Sequence, residues 1–270
     1  GIAPSAESTP EAIVQVYFAR ALNWRGIFGV HTWVATKAEN AGEYIVHQVI
    51  GWRVYRGLPA VFSAPGIPDG RWFGNEPTLI AELRGEEAAR AIPKITGARA
   101  SYPDPSGSML WPGPNSNTFG AYVGRQVPAL RMDLPATAIG KDYPINGSLI
   151  DRTPSGTGYQ LSMLGVFGVT MAREEGFELN LLGLTFGVDF LKPALKLPFV
   201  GRLGMGEHCE LMAKEWGITR EDEDLLAYES HKKAAAAYDQ GFMDDLVIPF
   251  AGVFRDNNMR EDISLEKMAE

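Results

Sequence analysis

Two residues far apart in the chain are of types that can act together: His31, in "FGVHTWVATK", and Ser116, in "WPGPNSNTF". A serine hydroxyl is a weak nucleophile that needs a base within hydrogen-bond reach, and the positive end of a helix favours the charge that develops. Ser116 stands where a Gly-Pro turn gives way to helical spacing, with Phe119, Val123 and Val127 at i, i+4 and i+8. His31 as general base and Ser116 as nucleophile would attack an amide or ester. Asn115 and Asn117 would donate oxyanion or substrate hydrogen bonds, with Trp33 as a further substrate contact. Each residue also has a structural reading. Ser116 suits a helix N-cap, worth about 1 kcal/mol. His31 suits a half-buried strand position beside Trp33, and Asn115 and Asn117 suit a turn next to Pro114. His47 is a second strand histidine and the rival base.

The elements that must hold these residues follow from periodicity. "AIVQVYFAR", "GIFGVHTWVATK" and "EYIVHQVIGWRVYR" read as three strands, the last rich in β-branched and aromatic residues. "GNEPTLIAELRGEEAARAIPKITGARASY" reads as mostly helical, broken near Gly85 and Pro93. The motif helix starts near Asn117 and ends about Val127, because Pro128 disfavours helical geometry before it. A Pro-rich connector, "TAIGKDYP", carries Lys141 and Asp142 as solvent-facing or structurally paired charges. "TPSGTGYQLSMLGVFGVTMA" and "LNLLGLTFGV" read as buried, Gly-rich hairpin strands rather than a membrane span, since Pro, Ser, Gln and Gly interrupt the first. The order is α+β.

Composition places a boundary near residue 204. From Gly204 onward there are 16 acidic and 7 basic residues, whereas the earlier part is nearly balanced, and 17 of the 18 prolines precede it. The expected organisation is a tail at 1–10, an α+β domain at 11–203 and a helical segment at 204–270. In that segment Met205, Cys209, Met212 and Trp216 share a helical face, Gly217 suits the C-cap, and Thr219 with Asp222 suits a capping box. A net charge of −8 argues against nucleic acid as a partner. The single cysteine, Cys209, excludes disulfides within the chain and any thiolate cluster, and no His/Cys/Asp/Glu spacing suggests a metal. "SGTG" lacks the Gly-Lys-Ser/Thr ending of a phosphate loop, so no cofactor is expected.

Several of these segments together, "FGVHTWVATK", "EYIVHQVIGWRV", "WPGPNSNTF", "TAIGKDY" and "PSGTGYQLS", resemble a bacterial family of unknown function over approximately residues 10–203. That resemblance implies a membrane-anchoring or signal segment upstream of residue 1, and an extracytoplasmic or membrane-anchored location. More distantly, "VHTW" followed by "NSNTF" is similar to the permuted papain-fold peptidases, which carry a catalytic His on an early strand and a Cys at a later helix start. The likeness implies a permuted papain-like sheet with a motif-bearing helix, His31 as base and Ser116 in the nucleophile position. Serine in place of cysteine departs from that pattern, and a hydroxyl needs far stronger activation than a thiol. Met205 to Glu270 resembles an internal loop-domain fragment of thiolases, the acetyl-CoA acyltransferases. Such a fragment implies acyl-CoA chemistry and a cytoplasmic setting, but the thiolase nucleophile and its His and second Cys fall outside it, so Cys209 is not the nucleophile.

Three readings of function stand: a Ser/His hydrolase acting on a small-molecule or peptide substrate, a non-catalytic binding domain with Ser116 as a helix cap, and an acyltransferase fragment. The junction near residue 204 is read as artefactual or degenerate.

Overall fold

The structure, a computed structural model, describes residues 2–191, 194–198, 205–248, 252–256 and 258–266. The chain divides into two compact units, Gly1–Gly204 and Met205–Glu270.

The first unit begins with an antiparallel sheet of order β4-β3-β2-β1-β5, formed by β1 (Ile13–Arg20), β2 (Val30–Lys37), β3 (Ile45–Val49), β4 (Val61–Pro65) and β5 (Thr78–Arg84). Strands with apolar residues in both alternating sets must be covered on both faces. Val14, Val16, Val30 and Val34 pack on one face against α1 (Gly85–Ala100) and α2 (Ser116–Gln126), through Ala91, Ile95, Phe119 and Val123. Ile13, Tyr17, Trp33 and Ala35 form the other face, covered by Ala6, Trp72 and Leu79. The first ten residues are therefore not a free tail. Tyr44 donates to the Pro4 carbonyl at 3.0 Å, and the Ala3 N–H donates to the Asp69 carboxylate at 3.0 Å.

Three expectations about this sheet are corrected. The third strand stops at Val49, and Gly51–Arg56 is a 3-10 helix whose Trp52, Val54 and Tyr55 are exposed. Strand propensity measures packing against neighbours, which those residues lack. "VFSAP" is a strand the periodicity did not announce. Thr78–Arg84 is extended rather than helical, because it pairs with β1 through Leu79↔Tyr17, Ala81↔Val16 and Leu83↔Val14. The helix starts only at Gly85, whose φ of +55° suits glycine. Pro93 then sits inside α1 without breaking it. Pro93 and Ala89 are both exposed, so water can satisfy the carbonyl that proline leaves free.

A second antiparallel sheet has the order β11-β10-β9-β8-β7-β6. Its strands are β6 (Ile150–Arg152), β7 (Gly158–Met163), β8 (Phe167–Ala172), β9 (Gly176–Leu181), β10 (Leu184–Asp189) and β11 (Ala194–Lys196). Its hairpins fall where the apolar runs placed them, but the expectation of burial is corrected. Gln160, Ser162, Thr170, Glu178, Asn180 and Thr185 are buried, while Tyr159, Leu161, Met163, Phe167, Val169 and Leu181 point outward and are exposed. The buried set is held by charges rather than by apolar contact. Lys141 lies 2.6 Å from Glu178, and Lys196 lies 3.0 Å from both Asp133 and Glu178.

In the second unit, α3 (Met205–Trp216) ends at Gly217, whose φ is +67°, and α4 (Arg220–Asp239) starts from a Thr219/Asp222 capping box. Ala213 is the sole buried apolar residue among the described residues of this unit. Cys209, Met212 and Trp216 are exposed. Among the described residues, no helix is long and apolar enough to cross a membrane. The whole is a mixed α/β chain with two antiparallel sheets and few helices.

Candidate functional site

The motif "GPNSNTF" enters α2 through cis peptide bonds at Trp111–Pro112 and Gly113–Pro114. The N-cap is Asn115, not Ser116, which corrects the cap assignment. Asn115 Oδ1 accepts from the backbone N–H of Asn117 at 2.9 Å and of Thr118 at 3.3 Å. Thr118 Oγ1 completes a capping box by accepting from the Asn115 N–H at 3.0 Å. An asparagine oxygen satisfies the first free N–H groups of a helix as well as a serine does, so composition alone did not decide between them.

The rest of the motif is tied to its surroundings. Thr32 Oγ1 donates to Asn117 Oδ1 at 2.8 Å, and Asn117 Nδ2 donates to the carbonyls of Val30 at 3.0 Å and Ile139 at 2.8 Å. Asn115 Nδ2 donates to Ile139 O at 3.0 Å, and Thr118 Oγ1 donates to Gly140 O at 2.7 Å. Gly140 has a φ of +93°, and a Cβ there would stand 2.5 Å from Asn115 Nδ2. Thr32 and Thr118 were not singled out in the sequence. The signal was available: Thr32 lies between His31 and Trp33, so it must face away from both, toward the helix.

That same alternation separates His31 from α2. Thr32 and Val34 face the helix, whereas the His31 ring lies on the opposite face of the sheet. It stacks on Trp72 at 3.7 Å between ring centres and lies 5.8 Å from Trp33. Its Nε2 is bonded to Gln48 Oε1 at 3.1 Å. Burial pushes the His31 pKa down to about 4 against the opposing effect of Gln48, so the ring is neutral at neutral pH. His47 is on the helix side, paired with Val34, and both its nitrogens are engaged, with Thr36 at 2.9 Å and Ser63 at 2.7 Å. Burial, with Arg99 adding to it, brings its pKa to about 4. Neither histidine is hydrogen bonded to Ser116. Ser116 is buried in the first turn of α2, and its hydroxyl has no hydrogen-bond partner among the described residues. Trp33 donates its indole N–H to Pro68 O at 2.7 Å and belongs to the His31 face.

Lys141 and Asp142 are buried and paired. Burial opposes the charge on Lys141, but Glu178, Asp142 and Asp133 outweigh it and raise its pKa. Burial raises Asp142, with Lys141 partly offsetting it, and Asn180 donates to its carboxylate at 2.9 Å. For Glu178 the two lysines outweigh burial and hold its pKa low. Among the described residues, no group of His, Cys, Asp and Glu could hold a metal ion.

A separate open cleft of about 350 Å³ lies where the loop after β1 meets the loop before β5. Arg20, Asn23, Ile27, Phe73 and Asn75 line it. Phe73 is edge-on to Trp72 at 5.1 Å and to Trp52 at 5.8 Å, which links the cleft to the ring stacked on His31. These residues were missed in the sequence, although "NWRGIF", "GWRVYRG" and "GRWFGN" are three Gly-containing loops that each join tryptophan to arginine.

Residues 11–143 match a family described as proteins of unknown function, DUF3750. That span holds "VHTW" and "GPNSNTF" and ends at Tyr143, before the second sheet. Residues 186–270 match the thiolase N-terminal domain, a likeness that begins inside β10 rather than at Met205. The chain is 43% identical over 74 residues to the 3-ketoacyl-CoA thiolase of Yersinia enterocolitica, and 45% identical over 74 residues to that of Serratia proteamaculans. Each alignment covers 25% of this chain and 17% of the relative, so the chain spans only a small part of these thiolases. No solved structure matches the chain. Its sequence is thus similar to two families in succession, the one of unknown function carrying the histidine and the motif helix, the other a piece of thiolase.

Proposed function

We propose that the first unit is a non-catalytic binding domain. In this reading the "GPNSNTF" motif locks the fold, and the open cleft beside Phe73 takes the ligand. The observation that carries it is the opposition of His31 and Ser116 across the sheet: a base stacked beneath Trp72 on one face cannot take a proton from a hydroxyl on the helix of the other. The cleft offers Arg20, one of whose nitrogens is held by Gly26 O, and Asn23 beside Phe73 and Ile27, while the Asn75 amide is spent on the Arg20 and Trp72 carbonyls. This suits a small ligand or peptide end with an anionic group and an apolar body.

One observation favours a second reading, a serine hydrolase of papain-like layout. The histidine-bearing strand precedes a helix that presents Ser116 in its first turn, and the hydroxyl there is not committed to any bond. A fluorophosphonate probe separates the two. The expected result is no labelling beyond that of the Ser116→Ala variant; stoichiometric labelling of the native chain, lost in that variant, overturns the binding reading. Acyl transfer by the thiolase-like segment is a third reading, and it draws only on a partial likeness.

A further inference from the structure

Lys196 ends β11 and is wholly buried, and its amino group meets two carboxylates at once. Nζ lies 3.0 Å from both oxygens of Asp133, 3.0 Å from Glu178 Oε1 and 2.7 Å from the Glu175 carbonyl oxygen. The register of the sheet explains the meeting. Gly187 of β10 pairs with Glu178 on one side and with Lys196 on the other, so the three stand in one row. A Cβ at Gly187 would come within 2.9 Å of Glu178 Cγ, and its absence leaves the row open for the lysine stem. Asp133 arrives from the connector after α2, where its neighbours Met132 and Leu134 are fully buried and fix the backbone.

An amine, a carboxyl group that faces it with both oxygens and a second carboxylate on the same nitrogen are the parts of a condensation. In water the separate ions are favoured over the amide because each charge is solvated. Here that solvation is withdrawn, since the side chains of Lys196, Glu178 and Asp133 are 0%, 2% and 9% exposed. A neutral amide costs far less to bury than two charges, and a dry site holds little water to reverse the step. Groups held in contact by a rigid frame also react as if at very high concentration.

We propose that Lys196 and Asp133 join in an intramolecular isopeptide bond, with Glu178 as the proton relay. The Lys196 ammonium passes one proton to the Asp133 carboxylate, which leaves a neutral amine beside a neutral acid. Nζ then adds to Asp133 Cγ and forms the C–N bond. Glu178 takes a proton from that nitrogen and delivers it to the Asp133 hydroxyl, which departs as water when the C–O bond breaks. One N–H remains on the nitrogen, and Glu175 O is there to accept it. Glu178 suits the relay rather than the bond. Burial opposes its charge, but Lys141 and Lys196 outweigh burial and keep it ionised, while Lys141 occupies its other oxygen at 2.6 Å. The bond ties the edge strand β11 to a connector 63 residues earlier.

Mass spectrometry of the full chain is the test. The native chain should weigh one water less than its sequence. Trypsin, which cuts after Lys and Arg but not before Pro, should release residues 132–141 joined to 174–202 through Lys196. Glu178 shares the second peptide with Lys196, so a bond between those two would show as water lost within 174–202 alone. Lys196→Arg keeps the charge, cannot condense and should have its full mass. Glu178→Gln, or Glu178→Asp if the first does not fold by circular dichroism, should form at least about tenfold less product in matched time. A folded native chain at full mass holds an ion pair only and overturns the proposal, as does a bond confined to 174–202. Equal product in the native chain and the Glu178 variants overturns the relay.

Discussion

Asn117 uses its whole side chain inside the protein: the oxygen accepts from Thr32, and the amide serves Val30 and Ile139. Its neighbour Ser116 uses none of its hydroxyl. The two residues should therefore respond to truncation in opposite ways. Asn117→Ala removes three buried hydrogen bonds and strands the partner groups, a loss of about 3 kcal/mol or more in unfolding free energy. Ser116→Ala removes no bond and should stay within about 0.5 kcal/mol of the native value. Denaturant titration of both variants checks the pair, and a large loss in Ser116→Ala would mean that its hydroxyl has a structural partner. The sequence drew attention to the right heptapeptide but could not rank its members. Asn115, Ser116 and Asn117 are all good turn and cap residues, and only the position of the Ile139 and Val30 carbonyls decides which does what.

At the scale of the element, strand periodicity was legible and its polarity was not. "GFELNL" alternates apolar and polar residues, which fixes a strand with two unlike faces. Nothing local says that Glu178 and Asn180 face inward. That information sits in Lys141 and Lys196, 37 and 18 residues away from Glu178. The same distance effect hid β5, whose extended form depends on β1, about 65 residues earlier. Adjacent residues of β9 give the sharpest test. Glu178→Leu adds an apolar side chain yet should destabilise by about 3 to 5 kcal/mol, because two buried ammonium groups lose their shared carboxylate. Leu179→Thr removes apolar surface yet should change stability by less than about 0.5 kcal/mol. Thermal unfolding of both variants would show the inversion, and the reverse order would mean that the sheet presents its other face.

The two units of the whole molecule differ in kind. The first has two clusters of buried apolar residues and a buried ionic layer, whereas α4 buries none of its residues. The change in charge and proline content marked the division in the sequence. Limited proteolysis should cut within Met205–Glu270 first and leave a resistant fragment that contains β1 to β10. Early cleavage inside the first sheet would contradict this ranking. Within the first unit, the first sheet buries apolar residues on both faces, whereas the second buries its polar face. Hydrophobic collapse alone would turn the second sheet over, and a one-residue slip of register would do so strand by strand. In the native sheet the inward side is marked by the pairing of Lys141 with Glu178. Lys141 is placed by a connector whose preceding residues, Ile139 and Gly140, are gripped by Asn115, Asn117 and Thr118. The motif helix thus reaches the second sheet through that connector: the bonds that grip Ile139 and Gly140 also fix the start of the segment whose next residue, Lys141, holds Glu178 on the inward face.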